Sequence, residues 1–322
     1  MHLISQKVKV MKKIIILISL LPILAYAQIN RDTSFTIRSA YEKVKKDYPF
    51  VKPAEVKTEG LKIFKNIVYY KEGERKLALD LFMPESPETK LPLIVIVHGG
   101  GWRSGHKEME HPIASRIAQK NYITATVEYR LSTEALYPAA ILDVKRAVCW
   151  LKKNSGAYKI DTTKIVLMGM SAGGQIAAMA ALSDNVEKLS VRECNINAAA
   201  LIDIDGVFDM TTPSESGKDT IPSKPSAAKQ WLGFTYKEKP DLWVEASPLE
   251  YVDRASPPML FVNSSLPRFH AGRDEAIDIL NEHGIYSEVH TIENTPHPFW
   301  LFHPWQERVV DWVVGFLKKT LN

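Results

Sequence analysis

From about residue 64 onward, short apolar runs alternate with longer amphipathic stretches, the pattern of a mostly parallel sheet with helices on both faces. Leu93-Ile94-Val95-Ile96-Val97 is apolar at every position, as a strand buried on both faces requires. Further strands are expected at Ile123 to Val127, Lys164 to Met168, Ala198 to Ile204, Met259 to Asn263 and Ser287 to Ile292. An opening hairpin is expected through Asn66 to Tyr70 and Lys76 to Phe82, turning near Gly73. Helices fit at about 107–120, 138–154, Ala172 to Leu182 and 306–319.

Two stretches break the alternation. Residues 28–63 carry one predicted helix, Ile37 to Lys46, and a proline-bearing linker, and are expected on the outside of the domain. Residues 206–256, rich in Ser, Thr, Pro and Lys, form an insertion of cap-like character after the sixth strand, and long insertions of this kind are usually functional.

The first 27 residues read as an export signal. Lys12 and Lys13 precede an apolar run from Ile14 to Leu24, and Ala25-Tyr26-Ala27 supplies a small-x-small cleavage pattern. The run is shorter than the roughly 20 residues of a spanning helix, so no stable membrane insertion is expected once it is removed. Periplasmic or extracellular residence follows. Residues 1–27 contain four lysines and no acidic residue, so the remainder balances 37 basic against 37 acidic residues. Nucleic acid is therefore not an expected partner. Cys149 and Cys194 are the only cysteines; an oxidising compartment permits a bond between them, but nothing in their spacing demands it.

The chemistry concentrates at strand ends. Gly169-Met170-Ser171-Ala172-Gly173 joins a predicted buried strand directly to a predicted helix, the context in which a G-x-S-x-G turn projects a nucleophilic serine. His98-Gly99-Gly100-Gly101-Trp102 follows the Leu93 to Val97 strand, and its glycines let backbone amides approach a developing oxyanion. Gly100, Gly101 and Ala172 are the candidate oxyanion donors. Nine histidines are present without an HExxH spacing, so no metal is expected, and acyl transfer through a serine requires no cofactor.

With Glu128-Tyr129-Arg130-Leu131 and Tyr137-Pro138-Ala139-Ala140…Asp143, these motifs resemble the HGGG-type serine esterases of the α/β-hydrolase superfamily over about residues 64–320. The resemblance makes Arg130 and Asp143 scaffold and places the general base after the last strand, where His297 fits and His303 is the rival. It departs at the triad acid, because Leu266 occupies the usual slot. Asp205 at the end of the preceding strand is the first candidate and Asp274 the alternative, with Asp203, Glu288, Glu293 or the absence of an acid behind them.

The segments Asn263 to Asp274 and Pro296 to Trp305 look like a subgroup of carbohydrate esterases from polysaccharide-degrading bacteria, nearest to pectin methylesterases of this fold. That implies a polysaccharide or oligosaccharide ester as substrate. Arg268 and Arg273 become candidate contacts for uronate carboxylates, while Trp102, Trp231 and Trp300 are candidate sugar-stacking surfaces. Acetyl-ester hydrolysis on xylan or pectin would use the same machinery. Peptidase activity and a non-catalytic glycan-binding module are the remaining readings.

Overall fold

A computed structural model describes residue 32 and residues 34–192, 194–217 and 224–321. The predicted export signal lies outside the described residues. Eight strands form one sheet: β1 (Leu61–Glu72), β2 (Arg75–Pro84), β3 (Leu91–Val97), β4 (Ile123–Val127), β5 (Ile160–Met170), β6 (Ala200–Ile204), β7 (Met259–Ser264) and β8 (Ser287–Ile292). Their spatial order is β1-β2-β4-β3-β5-β6-β7-β8. The β1–β2 and β2–β4 pairs are antiparallel and all the others parallel.

The sheet follows from the apolar runs. Along β3, Leu93, Val95 and Val97 enter one core and Ile94 and Ile96 the other, so both faces demand cover. Helices α3 (Ala139–Lys153) and α4 (Ala172–Leu182) cover the first face; α1 (Ile37–Val44), α2 (His111–Ala118) and α8 (Trp305–Thr320) cover the second. The expected helix over 107–120 is divided: Lys107–Glu110 is a 3₁₀ turn, and the α-helix starts where Pro112 falls in its first turn, a position that needs no amide donor. Strand β1 is longer than the sequence pattern indicates and is interrupted between Phe64 and Ile67, where Asn66 adopts φ 56°.

The insertion builds α5 (Ala227–Leu232) and α6 (Pro240–Glu245) and packs onto the α3/α4 face. The side chains of Trp231 and Trp243 are fully buried in it, and Trp231 stacks on Trp102 with 5.1 Å between ring centroids. Trp231 is thus core and offers no sugar-stacking face.

Residues 34–63 do not lie merely on the outside. Ala40, Val44 and Val51 are buried in the second core, because the apolar stripe of α1 has no other surface to cover it. Cys149 and Cys194 form a disulfide with Cα atoms 6.0 Å apart, tying α3 to the loop before β6.

Candidate active site

Parallel strands end on the same edge of the sheet, so residues that follow β3, β5, β6 and β8 converge there. Ser171 follows β5 directly, at φ 55° and ψ −124°, a strained conformation for a residue with a side chain. The turn is possible because Gly173 allows helix α4 to press against β3: a Cβ there would lie 2.2 Å from the Val97 carbonyl oxygen. The Ser171 amide donates to the Ile204 carbonyl at 2.8 Å, linking the serine to the end of β6.

The residue after β6 is Asp205, at φ 50° and fully buried. His297, from the loop after β8, bridges the two. The Ser171 hydroxyl donates to His297 Nε2 at 2.7 Å, and His297 Nδ1 donates to Asp205 Oδ2 at 2.9 Å. Ser264, at the end of β7, gives Asp205 an amide at 2.7 Å and a hydroxyl at 2.6 Å. The Asp205 carboxylate thus accepts from His297 and from both donors of Ser264. This is a complete hydrogen-bonded relay of hydroxyl, imidazole and carboxylate, in which the carboxylate orients the ring that takes the proton.

The ring of Phe269 lies parallel to the imidazole, and that of Trp300 stands edge-on to it at 5.2 Å. The other acid candidates are elsewhere. Asp274 is 70% exposed and paired with Arg273, which holds its carboxyl below the ordinary range. Glu288 pairs with Lys319 and His290, and Glu293 is exposed. Asp203 is buried beneath Gly174 and Gly206; burial first, and then the charge of Asp205, pushes its pKa up to about 8. His303 is engaged by Glu307, away from Ser171.

The glycine loop faces the serine. Gly100 adopts φ 126°, and a Cβ there would stand 2.1 Å from the Ser104 carbonyl oxygen, so only glycine permits the turn in which Ser104 donates back to the Gly100 carbonyl at 3.0 Å. Gly100, Gly101 and Ala172 all line the cavity around Ser171, as oxyanion donors must. Gln175 was not signalled by any sequence motif. Buried on α4, it accepts from the Trp102 indole at 2.9 Å and donates to the Ala246 carbonyl at 2.7 Å, joining the glycine loop, the serine helix and the insertion. Arg130 and Asp143 form the expected scaffold pair at 2.8 and 2.9 Å.

Glu110 lies just beneath the loop, fully buried beside the Gly99 amide and the Trp300 indole. Burial pushes its pKa up to about 8.

The cavity holds about 280 Å³ and is mainly apolar. Trp102 and Trp300 line it as wall, at 3% and 1% exposure, and present no open face to a sugar. Arg268 lines it too, donating through Nε and Nη2 to the buried carboxylate of Glu215 and lying over the Phe269 ring. Arg273 does not line it. Its guanidinium is turned inward to Asn263, because the residues before it are clamped to Phe208 and Asp209 of the loop after β6.

Phe35 completes the wall. It precedes α1 by two residues, and Asp32 pairs with Arg103 of the glycine loop at 3.2 Å. Arg103 also donates to Gln230 of α5, so the segment before α1, the loop and the insertion meet at one guanidinium.

The strand order, the sharp serine turn and the relay from Ser171 through His297 to Asp205 define an α/β-hydrolase fold equipped for acyl transfer. The chain belongs to the BD-FAE family, whose model matches residues 79–271. It is similar to Esterase LipQ of Mycobacterium tuberculosis, 30% identical over 199 residues, covering 60% of this chain and 47% of that protein. The chain spans about half the length of the curated relatives it matches. Among solved structures, a bacterial heroin esterase superposes with a TM-score of 0.66 at 21% identity, over 88% of this chain and 91% of that one. A truncated carbohydrate esterase from gut microbiota gives 0.67 at 20%, over 84% and 100%. Both establish likeness of fold.

Proposed function

We propose that the protein is an exported serine carboxylester hydrolase acting on a carbohydrate ester, with methyl-esterified pectin as its substrate. The observation that carries the ester-hydrolase reading is the relay itself, Ser171 to His297 to Asp205. Ser171 attacks the ester carbonyl as His297 takes its proton, and Asp205 stabilises the resulting imidazolium. The amides of Gly100, Gly101 and Ala172 receive the oxyanion. His297 then protonates the departing alcohol, and water releases the acyl group by the same steps in reverse.

The esterase relatives support the reaction class, and the carbohydrate-esterase neighbour suggests the substrate class. Arg268 supports a uronate: Nε and Nη2 are taken by Glu215, which leaves Nη1 for a substrate oxygen at the cavity wall. The same pairing neutralises much of its charge, and this favours the second reading, removal of an acetyl group from a neutral sugar. Export is supported by the Ala25-Tyr26-Ala27 pattern and by the disulfide, since such bonds persist in oxidising compartments. An exported protein cleaved at that pattern would begin at Gln28.

The test is release of methanol and acetate, measured side by side from native pectin and acetylated xylan, with Ser171→Ala as the blank. Methanol from pectin, absent with Ser171→Ala, is expected. Acetate alone would move the assignment to a deacetylase, and neither product would overturn the carbohydrate-ester reading.

A further inference from the structure

Asn263 is the fifth residue of β7 and is fully buried, and its carboxamide sits among three groups of fixed polarity. Arg273 can only donate, and its Nη1 donates to Asn263 Oδ1 at 3.0 Å. The Asp205 carboxylate and the Phe269 carbonyl can only accept, and Asn263 Nδ2 faces them at 3.5 and 3.0 Å. A carboxamide has one donor end and one acceptor end. Only one orientation satisfies all three neighbours. Turned over, Asn263 would set its oxygen against the two acceptors and its NH₂ against the guanidinium.

Both supports of His297 depend on that orientation. Asp205 holds the imidazole through Nδ1, and Phe269 covers its face. The carboxamide touches the carboxylate of the first and the backbone of the second. Arg273 is itself firmly placed. Gly272 before it adopts φ 75°, where a Cβ would come within 2.6 Å of the Asp209 amide. The amides of Phe208 and Asp209 donate to the Ala271 carbonyl at 2.9 and 3.1 Å, clamping the loop after β6 to the start of α7 (Arg273–Glu282). Asp274 then holds Nε at 2.8 Å, which leaves Nη1 directed at Asn263. The positive charge also faces buried Asp203, which packs beside Asp205.

We propose that Arg273 is a positioning residue for the triad acid, acting through the Asn263 carboxamide on Asp205 and Phe269, and that it makes no contact with substrate. The proposal rests on Ser171, His297 and Asp205 being the catalytic machinery.

The experiment compares Arg273→Ala, Arg273→Lys, Asn263→Ala and the double Ala variant with the parent protein. Each is assayed on 4-nitrophenyl acetate, which is neutral, and on a partly methyl-esterified galacturonate oligomer, which is anionic. Arg273→Ala is expected to lower kcat about 10- to 100-fold on whichever substrates the parent hydrolyses, with KM held within about twofold. The acidic midpoint of the kcat–pH profile should move to lower pH, because a less well placed carboxylate stabilises the imidazolium less. Arg273→Lys, which keeps a donor, should recover part of the loss. The double variant should be no slower than Asn263→Ala alone, the signature of two residues acting in series.

A rise in KM confined to the anionic substrate, with kcat retained, would instead make Arg273 a substrate contact. Additive losses in the double variant would also overturn the proposal, as would an unmoved pH midpoint. Thermal melting of each variant identifies one that has merely unfolded, and Arg273→Lys then carries the comparison. Persistence of hydrolysis in Ser171→Ala would defeat the triad reading itself, an outcome separate from all of these.

Discussion

The Phe269 ring lies flat against the imidazole of His297, with 3.7 Å between centroids and 5° between planes. A histidine that must alternate between accepting and donating a proton needs its ring plane fixed while its charge changes, and an aromatic face tolerates both states. Phe269→Ala should lower kcat about 10-fold or more, whereas Phe269→Tyr, which keeps the ring, should stay within a few-fold of the parent. Equal losses in the two variants, measured on 4-nitrophenyl acetate, would mean that stacking is not what Phe269 supplies.

Asp205 and Asp274 are separated sharply by their surroundings. Asp205→Asn should reduce kcat by about four orders of magnitude, the loss typical of removing the orienting carboxylate from a serine triad. Asp274→Asn, which alters only an exposed partner of Arg273, should cost less than about tenfold. Steady-state kinetics on one activated ester decides the matter; a larger loss at Asp274 would reverse the assignment.

Glu110 links pH to stability. Its carboxyl titrates at about 8 in the folded protein against an ordinary value of 4.5, because burial disfavours the charge. An unfolded chain ionises freely above that ordinary value and the folded one does not. The contribution is therefore fully present below about pH 4.5 and is lost progressively as pH rises to about 8. Glu110→Gln should remove this loss, so that its melting temperature gains on the parent's as pH rises from 5 to 8, by on the order of a few kcal/mol in stability. A constant difference across that range would show that Glu110 ionises without penalty.

Phe35 closes the cavity from a segment that precedes the family-matched region. Phe35→Ala should widen the cavity beside Ser171, raising KM for 4-nitrophenyl acetate about tenfold, the scale of losing a modest apolar contact. Activity on the bulkier butyrate should fall less. Should acetate and butyrate respond equally, the wall formed by Phe35 would have no part in selecting the acyl group.

How much of this could be read beforehand depends on which physical signal each element carries. Strand β3 follows from an uninterrupted apolar run, since burial on both faces favours apolar side chains throughout, whereas β4 alternates with the buried β-branched Thr124 and Thr126. Ser171 is legible because so sharp a strand-to-helix turn needs small flanking residues. The acid is not, because Asp203, Asp205 and Asp274 differ only in the directions that a strand end and a helix start give them. Arg268 and Arg273 look equivalent for the same reason; five residues of chain turn one toward the cavity and the other inward. Phe35 gives no signal at all, since the apolar stripe of α1 announces a buried face without saying what lies next to its leading end. The disulfide depends on a 6.0 Å approach of two Cα atoms that are 45 residues apart in sequence.

Nucleophile and acid leave from neighbouring strands, β5 and β6, whose register sets Met170 beside Ile204 and hence Ser171 beside Asp205. The loop after β7 is thereby relieved of supplying a reacting group. It retains a supporting hand through Ser264, Asn263 and Phe269, while Leu266, Pro267 and Arg268 between them are exposed and supply no member of the relay. Reacting groups and rim thus leave from different strand ends, with Ser171 and Asp205 after β5 and β6 and the exposed, cavity-lining Arg268 after β7.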